Sequence, residues 1–170
     1  MEKYTYVGKT VEEALDEAYG ALGVTKEDIM YSSNEQKGGL FKSKKVEIVV
    51  TKKEDIHTFI KEALLKITKD MGFEVNAEVK VRDGILNITL FSDKNNLLIG
   101  RDGKNMQALT TVVRQIIFNE LGYYYKFNLD VGEYKLKQQK NLERMAHRIA
   151  REVAKSKVEA MTNLAPLTSI

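Results

Sequence analysis

Cysteine is absent from the 170 residues of this chain, which removes disulfides, thiol nucleophiles and thiolate metal ligands at once. Histidine occurs only at His57 and His147, and neither has a carboxylate, Ser or Cys at a spacing that would build a catalytic group. Long apolar runs are missing too. No stretch approaches the roughly 18 consecutive apolar residues of a membrane span, and the start, Met1-Glu2-Lys3-Tyr4-Thr5-Tyr6-Val7, lacks the apolar segment of a signal peptide. A soluble, cytoplasmic protein is the expectation. An excess of one charge is also absent: 27 basic residues stand against 24 acidic ones, for a net charge of +3. Any anionic partner therefore needs a local cluster of cations, because the field of the whole chain is weak. Gly8-Lys9-Thr10 ends like a nucleotide-binding phosphate loop, but the first glycine of Gly-x4-Gly-Lys-Thr would fall on Lys3, so nucleotide hydrolysis is not expected.

What remains, 43% hydrophobic and 30% charged, suffices for one to three small domains. Three segments separate on pattern. In the first, 1–52, Lys3 to Val7 alternates as a strand. Thr10-x-x-Glu13 then opens a helix with Val11, Ala14, Leu15, Ala18 and Leu22 at helical spacing, ended by Gly23. A strand at Ile29 to Ser32, a loop at Asn34 to Ser43 and a β-rich run from Lys45 to Thr51 complete a β-α-β-β unit. The charged stretch Lys52-Lys53-Glu54-Asp55 reads as the join to the next segment.

The second segment, 53–133, begins with a helix that aligns Ile56, Phe59, Ile60, Ala63, Leu64, Ile67 and Met71 on one face and stops at Gly72. Val75, Ala77, Val79 and Val81 alternate, Asp83-Gly84 supplies a turn that tolerates positive φ, and Leu86, Ile88 and Leu90 alternate on the way back. Ser92 or Asp93 is the expected cap of a short helical turn, Asn95 to Ile99. A helix from Gly103 to Leu121 buries Met106, Leu109, Val113, Ile116 and Ile117. After Gly122 comes a strand with Tyr123, Tyr125, Phe127, Leu129 and Val131 on one face, which leaves Tyr124 exposed as a possible stacking surface. The predicted fold class is α+β: the small β-α-β-β unit, a three-stranded sheet packed by helices, and a partial third domain led by a long basic helix.

Between the two helices of the second segment lies Leu98-Ile99-Gly100-Arg101-Asp102-Gly103-Lys104. Two glycines three apart mean little alone, and a plain tight turn is the simpler reading. The order helix, hairpin, short helix, Gly-x-x-Gly, helix, strand changes that balance. Gly100 and Gly103 let a phosphate approach the main chain without a Cβ in the way, the next helix offers N–H groups and the positive end of its dipole, and Arg101 and Lys104 add cations. Asp102 reads as a cap of that helix. Apolar side chains at Leu90, Leu98 and Ile99 are expected to line a groove beside the loop. Gly20-Ala21-Leu22-Gly23, the other pair of this spacing, ends a helix and carries no cation.

The third segment, 134–170, opens with a helix that has an apolar stripe of Leu142, Met145, Ile149 and Val153. A second face carries Lys137, Lys140, Arg144, Arg148, Arg151 and Lys155, against which only Glu143 and Glu152 stand in the same stretch. A solvated surface is the default for such a stripe. Beside a phosphate-binding loop, contact with nucleic acid is the better reading.

The order of the middle elements resembles a type II KH domain, whose Gly-x-x-Gly loop clamps about four nucleotides. The helix start Lys9-Thr10-Val11-Glu12-Glu13-Ala14-Leu15 and the loop Lys37-Gly38-Gly39-Leu40-Phe41 resemble a Jag-N domain. Taken with Ile99-Gly100-Arg101-Asp102-Gly103-Lys104, the layout resembles the bacterial Jag proteins, also called SpoIIIJ-associated proteins, KhpB or EloR. The resemblance implies a non-enzymatic regulator of gene expression linked to cell elongation, binding single-stranded RNA without cofactor, metal or small-molecule substrate. Single-stranded DNA is the alternative, decided by contacts to the 2′-hydroxyl. It further implies a second small KH protein or self-association as partner, and a membrane-proximal link to an insertase of the YidC/SpoIIIJ type. The residues expected to meet nucleic acid are Ile99 to Lys104 with Lys140, Arg144, Arg148 and Arg151, and the Lys37 to Phe41 loop, with Leu40 and Phe41 between cations, reads as a protein-docking tip or a membrane-surface contact. The competing reading is a protein-interaction scaffold near the insertase that uses its KH fold for dimerisation. Two departures from the family pattern stand out. Lys42 occupies a usual glycine position, and no Arg-x-x-x-His occurs up to Ile170, since Arg144 and His147 have the wrong spacing. The third segment is therefore expected to be partial, with affinity resting more heavily on the Gly-x-x-Gly loop.

Overall fold

Thr10 starts the first helix as its spacing predicts. Its Oγ1 accepts from the Glu13 N–H at 3.2 Å, while the Glu13 carboxylate accepts from the Lys9 N–H at 2.7 Å. The return bond of the capping box thus lands one residue before the cap. In the computed structural model, which describes residues 1–36 and 45–156, the elements are β1 (Tyr4–Gly8), α1 (Val11–Leu22), β2 (Ile29–Gln36), β3 (Lys45–Lys52), α2 (Lys53–Asp70), β4 (Asn76–Arg82), β5 (Ile85–Phe91), α3 (Asn95–Ile99), α4 (Lys104–Leu121), β6 (Phe127–Val131) and α5 (Tyr134–Ser156). The mixed α+β class is as expected. The expected docking loop, Lys37 to Phe41, lies outside the described residues. The chain divides into two compact units, Met1–Gly132 and Glu133–Ile170.

The first unit contains two three-stranded sheets. In one the order is β1-β3-β2, antiparallel throughout, and α1 packs Ala14, Leu15 and Ala18 against Ile29, Val46, Ile48 and Val50. β2 runs on to Gln36, beyond the expected Ser32, because β3 pairs with it along its whole length. The join at Lys52 to Asp55 contains no loop: β3 ends at Lys52 and α2 begins at Lys53, with Glu54 and Asp55 in its first turn, where acidic groups favour the helix dipole.

The second sheet has the order β4-β5-β6. Asp83 and Gly84, both at positive φ, turn β4 antiparallel onto β5, whereas β6 lies parallel to β5 after a crossover through α3 and α4. Its core joins Ile56, Ile60 and Leu64 of α2 to Leu86, Ile88 and Leu90 of β5, to Met106, Leu109, Val113 and Ile117 of α4, and to Phe127, Leu129 and Val131 of β6. Several expectations are corrected here. Val79 and Val81 are exposed (Val81 by 54%) because β4 is the sheet edge; alternation marks a face without saying that anything covers it. Met71 is exposed and Ile116 only half-buried. Tyr123 and Tyr125 precede β6 instead of belonging to it.

In the second unit, Leu142, Ile149 and Val153 of α5 are half-buried, joined by Tyr134 and Gln138, whereas Met145 is exposed. Among the described residues no helix is long and apolar enough to cross a membrane.

Candidate nucleic-acid interface

A short helix can present a loop only if both its ends are fixed, and in α3 two asparagines fix them. Asn95 Oδ1 accepts from the Ser92 N–H at 2.9 Å, and its side chain packs so closely on Gly132 that a Cβ there would stand 2.6 Å from Asn95 Nδ2. The residue before α3 is Lys94, not the expected Ser92 or Asp93, and no side chain caps the helix. The Ser92 hydroxyl instead accepts from the Lys94 N–H at 3.3 Å. At the other end Asn105, from the first turn of α4, donates from Nδ2 to the Leu97 carbonyl at 2.8 Å.

Gly100 closes α3 at φ 71°, ψ −179°, a region open in practice to glycine alone. Space imposes the same choice, since a Cβ at Gly100 would lie 2.5 Å from Asn105 Cγ. Arg101–Gly103 form a tight turn in which Asp102 (φ 54°, ψ 28°) and Gly103 (φ 78°, ψ 8°) are both left-handed. A short polar side chain tolerates that conformation better than most. Asp102 does not cap α4: Gly103 holds the N-cap position, no side-chain acceptor is present, and the first turn of α4 contains no acidic residue. The Asp102 carboxylate instead lies 3.7 Å from Arg101 Nε, both groups almost fully exposed, a pairing worth little in water. The loop thus offers an uncapped helix N-terminus flanked by exposed Arg101 and Lys104.

The apolar lining differs from expectation. Leu90 and Leu98 are buried in the core and cannot touch a ligand, while Ile99 is half-buried and Leu97, not singled out in the sequence, is 60% exposed. Asn105 also escaped sequence reasoning, because its task is set by the approach of α3 and α4 and has no spacing signature of its own.

On α5, at 3.6 residues per turn, Lys137, Lys140, Arg144, Arg148, Arg151 and Lys155 fall within an arc of about 80°. All six are exposed. Among the described residues no salt bridge involves Lys140, Arg144, Arg148 or Arg151, and Glu143 accepts from Gln139 at 3.1 Å. Arg144, Arg148, Arg151 and Lys155 line a cleft of about 460 Å³ together with Glu152 and His147. His147, set aside as a catalytic candidate, thus sits among cations. His57 lies elsewhere, its Nε2 2.7 Å from the Tyr125 hydroxyl. Burial, helped by the charge of Lys53, holds its imidazole below the ordinary histidine value. Among the described residues no group of three His, Asp or Glu side chains is arranged to hold a metal ion.

No protein-family model matches the chain. It is similar to the RNA-binding protein KhpB of Clostridium symbiosum, 26% identical over 162 residues, covering 92% of this chain and 73% of that protein. The RNA-binding protein KhpB of Bacillus subtilis (strain 168) is 27% identical over 161 residues, covering 92% and 77%. A shorter match, 27% over 90 residues, links 53% of the chain to 28% of the RNA-binding protein KhpB of Lactiplantibacillus plantarum.

Proposed function

Similarity over 92% of its length groups this chain with the KhpB/Jag family, and from that premise we propose that it is a single-stranded RNA-binding protein with a regulatory, non-enzymatic role. The observation that carries the proposal is the loop from Gly100 to Lys104. There the N-terminus of α4, without a side-chain cap, and two exposed cations meet at one point of the surface, on a turn in which exposed Asp102 and buried Gly103 are left-handed. A phosphate reaches the main chain at the half-buried Gly100, which carries no Cβ, and the α4 dipole and Arg101 stabilise its charge, whereas Gly103 is buried, donates its N–H to the Gly100 carbonyl at 3.3 Å and serves the turn instead. Leu97 and Ile99 supply apolar contact for the adjoining bases, while main-chain groups meet their edges. That chemistry favours unpaired strands with modest sequence preference. The α5 stripe adds phosphate contacts that are independent of sequence.

The resemblance extends this reading to post-transcriptional regulation and cell elongation in the cytoplasm, with a small KH protein or a second copy as partner and an insertase of the YidC/SpoIIIJ type nearby. One observation favours the scaffold alternative: Val79 and Val81 are exposed on one face of the edge strand β4, an apolar sheet edge suited to a protein partner. Amide chemical-shift mapping with single-stranded RNA tests the main reading. Gly100 to Lys104 are expected to move most, followed by Arg144, Arg148 and Arg151. A single-stranded DNA of the same sequence reports the weight of the 2′-hydroxyl. If these residues stay unmoved at saturating RNA, the proposal fails.

A further inference from the structure

Three consecutive tyrosines follow α4, and they divide by what each one touches. Tyr125 is buried and hydrogen-bonded to His57. Tyr123 is half-buried, its hydroxyl beside Thr51 in a geometry short of a hydrogen bond, and burial pushes it up to about 12. With a neighbour anchored inward on each side, Tyr124 turns outward and is 71% exposed. Its ring is nevertheless held in place, stacked on Phe118 in the last turn of α4 with centroids 4.6 Å apart and planes 29° apart. Such a propped ring is a preformed surface for another π-face.

The C-terminal end of a helix ordinarily repels phosphate through its partial negative charge. Here, because the Glu120 carboxylate adds charge of the same sign, Lys3 offsets it only in part. Its Nζ donates to the Glu120 carbonyl at 2.5 Å and pairs with Glu120 Oε1 at 3.0 Å. Lys126, exposed two residues beyond Tyr124, adds a cation. A lone exposed tyrosine needs no explanation; one held against a second ring, with an exposed lysine two residues on, invites one.

We propose that Tyr124, propped by Phe118, is a second contact for single-stranded RNA, stacking an unpaired base while Lys126 meets the adjacent phosphate. The inference rests on the RNA-binding reading above. Gly103 and Gly122 bracket the 18 residues of α4, about 27 Å of helix, so a strand engaging both contacts must exceed the four or so nucleotides the loop clamps.

The test is fluorescence anisotropy with a labelled oligouridine of about 12 nucleotides, a length within ordinary single-strand site sizes. Wild type, Tyr124→Ala, Tyr124→Phe and Arg101→Asp are compared, with circular dichroism confirming that each is folded. Tyr124→Ala is expected to bind about tenfold more weakly and Tyr124→Phe as wild type, since stacking needs the ring and not the hydroxyl. If Tyr124→Ala binds as wild type while Arg101→Asp releases the RNA, the platform is wrong and the loop reading survives. Equal losses in Tyr124→Ala and Tyr124→Phe would likewise overturn stacking. Failure of the wild type to bind would remove both.

Discussion

At Gly100 backbone conformation and local space impose the same residue. Gly100→Ala is expected to cost about 1–3 kcal/mol in urea unfolding, the scale of a residue forced into a glycine-only region, and to disturb the Asn105 bond to Leu97. The contrast is Gly20, inside α1 with open space where a Cβ would go. Gly20→Ala is expected to raise stability by roughly 0.5–1 kcal/mol in the same experiment. His57 supplies a pH dependence. Its folded pKa lies below the ordinary 6.5, so on acidification the unfolded chain takes up the proton first and stability rises with pH through this window. The contribution is complete above 6.5 and is lost as pH falls towards the folded value. Urea midpoints measured from about pH 7.5 down to about pH 5.5 are expected to fall less steeply in His57→Gln than in wild type.

Among the elements, those written by repetition were the most legible. The helical spacing of Ile56, Ile60 and Leu64 marked α2, and Asp83-Gly84 between two alternating runs marked the hairpin. Less legible was what covers each face. Val81 and Leu90 occupy equivalent alternating positions, yet one is half open at the edge and the other wholly buried, a difference made by sheet order rather than by local pattern. Val81→Thr is therefore expected to change stability by no more than about 0.5 kcal/mol, while Leu90→Ala costs about 2–5 kcal/mol, as chemical denaturation would show. The α5 stripe was legible because its cations share one arc with few carboxylates. If it meets phosphate, Arg148→Ala should lower the slope of log affinity against log salt by about 0.7 and weaken binding similarly for all RNA sequences.

Over the whole molecule, the surfaces proposed to meet RNA are a glycine loop of the first unit and a basic helix of the second. Gly100, Arg101, Gly103 and Lys104 were legible as a candidate site because a phosphate-binding loop would use glycines and cations at that spacing. The supports Asn95 and Asn105, the exposed Leu97 and the place of His147 were not, since each acquires its role only when elements distant in sequence or successive helical turns meet. The most direct measurement of the central claim is fluorescence anisotropy of the chain with random single-stranded RNA across a salt series, wild type beside Arg101→Asp. Arg101 is exposed and pairs only loosely with Asp102, so the variant should fold normally. The account predicts that wild type binds with a clear salt slope and that Arg101→Asp, which turns the loop to net negative charge at the phosphate position, loses most of that affinity. Equal affinity and equal slope in the two proteins would contradict it.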